Sequence, residues 1–211
     1  MEPGERFNSY SHLVALLGSL AGSAFLVESA MRSGGALAVS GVAAFGGCAV
    51  LLYAASLLFH SSRGRAKALW ARADHAAIHL MIAGSYTPFA LAGQPPAQGH
   101  VIGWGPTMLA LIWLAALTGA LRELTATRRP SLALYLLLGW LCVAGGMALA
   151  PALGPAVTGW LLAGAACYTG GTVFYVNRRG WPHAHGVWHL FVMGGTACHG
   201  VAVALVQHAP G

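Results

Sequence analysis

Residues 37–60 read LAVSGVAAFGGCAVLLYAASLLFH, and residues 61–72 read SSRGRAKALWAR. The first stretch carries no carboxylate, lysine or arginine over 24 residues. As an α-helix it spans about 36 Å, enough to cross a hydrocarbon core of about 30 Å. The second carries three arginines and a lysine. A basic segment at the end of an apolar run marks the face of a membrane that retains positive charge. His60 and Ser56 sit at that same end, where an uncharged helix has no structural need of them.

The rest of the chain repeats the pattern. With 57% hydrophobic residues and 8% charged ones in 211 positions, it has too few ionisable groups to cover a soluble surface. Apolar runs occur at about 12–31, 37–60, 74–93, 101–121, 131–150, 156–177 and 185–207. The expected architecture is an all-α membrane protein, a single seven-transmembrane helix bundle over residues 1–211. The segments between the runs are short and rich in turn residues: SGG at 33–35, GQPPAQG at 93–99, PALGP at 151–155 and NRRGWPHA at 177–184. Seven crossings place ten of the eleven basic residues on one side and Arg32 alone on the other. That bias predicts a cytoplasmic N-terminus and an outer C-terminus in the plasma, or inner, membrane. The first run is full length and has no clear cleavage site, so it reads as a retained helix.

The net charge of +6 is spread over loops, with no basic stripe or interleaved aromatics, which argues against nucleic acid as a partner. Membrane lipids and a lipid-like substrate or ligand are the expected partners. The cysteines Cys48, Cys142, Cys167 and Cys198 stand singly in apolar runs and predict no disulfide framework. Paired glycines such as Gly46-Gly47, Gly145-Gly146, Gly170-Gly171 and Gly194-Gly195 predict close helix packing.

On this topology His60, Asp74, His185 and His189 share one depth near the cytoplasmic face. His185 and His189, four residues apart, lie on one helix face, and His60 supplies a third imidazole. Three histidines with an open fourth position are the donor set of a catalytic zinc. Asp74 is placed to bind the ion, to orient a histidine or to take a proton from an attacking water. Ser56, one turn from His60, can hydrogen-bond a substrate carbonyl or the anion that develops from it, or simply the carbonyl one turn back. His12, His75 and His79 share the depth and read as structural or accessory. His199, ten residues beyond His189 and about 15 Å deeper, is too far to join the same ion and reads as a bundle contact or cavity lining. Glu28 reads as interfacial.

At Glu5-Arg6, Asn8, Ser11-His12, Ser56-xxx-His60, Asp74-His75, Ala83-Gly84-Ser85-Tyr86-Thr87-Pro88, His185-xx-Trp188-His189 and His199, the chain resembles the hemolysin III family. That family is the bacterial branch related to the progestin and adipoQ receptors and, more distantly, to alkaline ceramidases. The resemblance implies zinc near the cytoplasmic face on His60, His185 and His189, with Asp74 close to the reactive water. His79 stands where an aromatic residue is expected. The expected function is a zinc-dependent hydrolase of a lipid amide or ester, with Asp74 and Ser56 as catalytic groups. The alternatives are a lipid-responsive regulator or receptor with structural zinc, and a pore-forming channel.

Overall fold

A computed structural model describes residues 2, 4–33, 35–92, 104–125 and 130–207. Among the described residues the chain forms six helices and no strand. They are α1 (Arg6–Ser33), α2 (Ala36–Ser61), α3 (Gly64–Ala92), α4 (Trp104–Thr125), α5 (Leu132–Val176) and α6 (Ala184–Gln207). Five of them, all but α3, are long and apolar enough to cross a membrane. The segment at 93–99, the first residues of the expected fourth run, Arg128, Arg129, His100 and His208 lie outside the described residues.

Two boundaries differ from the expectation. The basic stretch 61–72 is no loop. After Ser62, α3 starts at Gly64 and carries Lys67 and Arg72 on its first turns. Alanine, leucine, lysine and arginine are all strong helix formers, so nothing between Gly64 and Asp74 stops the helix.

The second difference is at 151–155, where the sequence predicts a loop between two runs and the structure has one element of 45 residues with a kink. Gly154 has φ 81° and ψ 165°, a conformation open to glycine and strained for other residues. Pro151 and Pro155 flank it, and each removes a backbone donor from the helix ladder. Straight, α5 would be about 67 Å long, more than twice a hydrocarbon core. Its two halves instead face each other: residues 132–147 and 158–172 both contribute to the wall of one cavity, and Tyr135 and Tyr175 are within electrostatic reach.

The bundle has an apolar core, but its outer surface is apolar as well, and several polar side chains are buried within it. Leu17 and Phe25 on α1, Leu114 and Leu121 on α4 and Leu137 on α5 are exposed, whereas Ser56, His60, Asp74, His79 and His189 are buried. A soluble protein reverses this arrangement. Glycine brings the helices together: a Cβ at Gly84 would stand 2.7 Å from the Cβ of Cys48, so α2 and α3 meet with no side chain between them. In each of the four glycine pairs one member packs tightly, Gly46 on Ser23, Gly145 on Tyr86, Gly171 on Phe191 and Gly195 on Tyr168. All four cysteines are free.

Candidate metal centre and its cavity

Immediately before α1 the chain supplies Glu5, and this carboxylate organises one end of the bundle. Its Oε2 accepts a hydrogen bond from His60 Nδ1 at 2.7 Å, and its Oε1 accepts one from Lys67 Nζ at 2.8 Å. Asn8 Nδ2 also donates to Oε2, at 2.8 Å. Partial burial alone would raise the Glu5 carboxyl, but the bonds from Lys67, Asn8 and His60 outweigh it and hold its pKa down at about 2. An ionised Glu5 fixes the proton of His60 on Nδ1 and leaves Nε2 as a bare lone pair. A carboxylate behind an imidazole in this way is the usual support for a metal ligand.

That lone pair looks onto other imidazoles. His60 Nε2 and His189 Nε2 are 3.1 Å apart, and both side chains are buried. His12, from α1, completes a group in which one ligand atom from each of His12, His60 and His189 lies within 4.8 Å of the others. His12 Nε2 is 3.2 Å from Ser56 Oγ, and Ser56 is in turn hydrogen-bonded to Asp74. With Ser56 donating to the carboxylate, His12 Nε2–H donates to Ser56, which leaves His12 Nδ1 as a lone pair. That atom is buried and has no hydrogen-bond partner among the described residues. His60 and His12 thus each offer a lone pair and His189 adds a third imidazole, nitrogen donors from three helices whose chemistry suits Zn²⁺.

His185 stands beside this group. Its ring centre is 4.4 Å from that of His189 and 5.3 Å from that of His60, and it rests against Trp188 at 5.1 Å. The structure groups His60 and His189 with His12, to which the sequence reading gave an accessory role, and places His185, Ser56 and Asp74 around them. The first helix offered a single histidine with no periodic partner, so spacing alone held no signal for it. Glu5 was visible only as part of a motif. His75 lies apart, near Phe59 at 6.5 Å. Glu28 is exposed and pairs with Arg32.

From the imidazoles and Asp74 a cavity of about 170 Å³ extends into the bundle between α3, the two halves of α5 and α6. His12, Ser56, Asp74 and His189 line one part of it. Ile82, Phe89, Val143, Leu161 and Val192 give the rest an apolar wall. Trp140, Met147 and Leu162 line it and are themselves exposed, so it reaches the lipid-facing surface.

The model of haemolysin-III-related proteins matches residues 2–200, the whole span from Glu5 to His199. The chain belongs to that family. It is 34% identical over 194 residues to the hemolysin-3 homolog of Bacillus subtilis (strain 168), covering 90% of this chain and 88% of the relative. It is likewise 34% identical to hemolysin-3 of Bacillus cereus, covering 90% of this chain and 85% of the relative. This haemolysin III family member is thus a multi-pass membrane protein whose buried imidazoles gather at one end of an apolar cavity.

Proposed function

We propose that the protein is a zinc-dependent hydrolase of a lipid amide or ester, set in the plasma membrane with its metal centre near the cytoplasmic face. The observation that carries this reading is that His12 and His189 of the imidazole group, with Asp74 and Ser56, line one apolar cavity that reaches the lipid-facing surface. A seven-crossing topology goes with it. The reversal of α5 at Gly154 turns six helices into seven crossings when α3 also spans, and the basic residues then fall on the N-terminal side.

In this reading His60, His185 and His189 hold the ion. Zinc, when bound, polarises a carbonyl and makes water a better acid. Asp74 takes the proton of the attacking water, and Ser56, already bonded to Asp74, turns its hydroxyl to the carbonyl oxygen as negative charge grows there. His12, joined to Ser56, keeps that hydroxyl oriented. The apolar cavity holds the acyl chain and excludes water from it.

Protein purified in detergent is expected to hold close to one zinc per chain and to release fatty acid from a panel of lipid amides and esters. His189→Ala should lose both. Full zinc occupancy with no turnover across the panel would refute the hydrolase. It would favour the regulator reading, which has its own support: the imidazoles come from α1, α2 and α6, so an ion between them would also tie these helices together.

A further inference from the structure

We infer that the turn joining α5 to α6 is a binding site for the phosphate headgroup of an anionic membrane lipid, held by Arg178 and Arg179. The inference stands apart from the hydrolase reading and from the metal centre.

Both α5 and α6 are long and apolar enough to cross a membrane, so the short segment between them lies at the membrane surface. Its backbone is closely tied. α5 ends on Asn177 in the left-handed region, φ 42° and ψ 46°, with the Asn177 N–H donating to the carbonyl of Val173. Asparagine takes this conformation more readily than most residues. Its side chain then closes the segment on itself: Nδ2 donates to the carbonyl of Trp181 at 3.1 Å, and Oδ1 accepts from the Trp181 N–H at 2.8 Å. Gly180, with φ 67°, donates its N–H to the Asn177 carbonyl at 3.1 Å. That bond closes a four-residue turn with Arg178 and Arg179 at its two corners.

Both arginines are exposed, and the Arg179 guanidinium lies 5.4 Å from the centre of the Trp181 ring. Trp181 in turn packs on Phe174 of α5, with ring centres 5.4 Å apart. No carboxylate pairs with either arginine among the described residues. The chain has five acidic residues, and each is engaged elsewhere: Glu2 and Glu5 with Lys67, Glu28 with Arg32, Glu123 beside His79 and Asp74 with Ser56. Two adjacent cations are thus left for a partner at the depth where lipid phosphates lie. Sidedness of charge asks only for positive residues in a loop. Guanidinium groups set at the corners of a tied turn, one of them on an interfacial tryptophan, suit bidentate bonding to a phosphate.

Purified protein in a neutral detergent is titrated with phosphatidylglycerol and with phosphatidylcholine of the same acyl chains, and bound lipid is counted by native mass spectrometry. Wild type should prefer phosphatidylglycerol. Arg178→Gln and Arg179→Gln should each weaken its binding about fivefold, the worth of one basic residue at a membrane surface, and leave phosphatidylcholine unchanged. The double variant Arg178→Lys, Arg179→Lys keeps the charge and should still lose part of the preference, because an ammonium meets a phosphate as a point charge. Arg65→Gln, exposed on the first turn of α3, is the control and should cost less than either. No preference in wild type, an equal loss from Arg65→Gln, or an undiminished preference in the lysine variant would overturn the site and leave only general positive charge. Soluble glycerol phosphate competing as strongly as phosphatidylglycerol would assign the turn to a free anion and overturn the lipid.

Discussion

The bundle buries two groups of histidine and carboxylate, and they are finished differently. Around His60 the polar atoms are wired to one another: Glu5 to His60 at 2.7 Å, His60 to His189 at 3.1 Å, His12 to Ser56 at 3.2 Å. Around His79 they are not. His79 Nε2 stands 3.8 Å from Glu123 Oε1, and Tyr135 covers the imidazole with its ring centre 4.7 Å away. His79 Nδ1 and Nε2, Glu123 Oε1 and the Tyr135 hydroxyl all lack a hydrogen-bond partner among the described residues. Both groups set buried imidazoles beside a carboxylate, so residue type does not mark a metal centre by itself. What separates them is whether a second group fixes the imidazole proton, as Glu5 does for His60 and Ser56 for His12.

The largest effect should come from removing imidazoles on the two sides of this comparison. His185→Ala is expected to reduce bound zinc to less than a tenth of the wild-type content, measured by elemental analysis of purified protein, while His79→Ala leaves it unchanged. His12→Ala should retain most of the zinc and lose lipid turnover, because in the proposed site the ion is held by His60, His185 and His189 while His12 holds the Ser56 hydroxyl. Zinc lost from His12→Ala and kept by His185→Ala would make His12 the third ligand, as the closeness of His12, His60 and His189 would then have foretold.

The next effect sharpens the role of the wiring itself. Glu5→Gln keeps the shape of the side chain and removes the charge behind His60. Zinc affinity should fall about 10- to 100-fold, the usual cost of losing such a support, as read by competition with a chelator. Its pH dependence has a definite sign. The Glu5 carboxyl is depressed from 4.5 to about 2, so the stabilisation it provides is complete above 4.5 and disappears only as the pH falls through about 2. Zinc released by wild-type protein above that window therefore reports protonation of the imidazoles. Wild-type and Glu5→Gln curves that coincide at every pH would show that Glu5 plays no part.

The sequence disclosed the bundle well and the site partly, for one reason. Apolar length and the sidedness of arginine and lysine are local properties, so the runs at 12–31, 37–60 and 185–207 correspond closely to α1, α2 and α6. His185 and His189 share a helix, and their pairing is written in their spacing. Glu5 and His60 are 55 residues apart, and His12 and Ser56 are 44 apart. Contacts of that kind depend on how α1 leans against α2, which no periodicity encodes. Likewise Pro151 and Pro155 announced a break, and the non-helical Gly154 between them, with φ 81°, divides α5 there into two helical halves.

The smallest expected effect lies in the unwired group. Glu123 is buried with one oxygen unpartnered, an arrangement that costs stability whenever the carboxylate is charged. Glu123→Gln removes the charge, keeps the volume and supplies a donor that can reach across the 3.8 Å gap to His79. The thermal midpoint of the variant should stay level or rise by a few degrees, with zinc content unchanged. A marked fall in the midpoint would mean that Glu123 is held as an anion by His79, and that the second group, too, is wired. The two clusters would then differ in what they bind and not in how they are built.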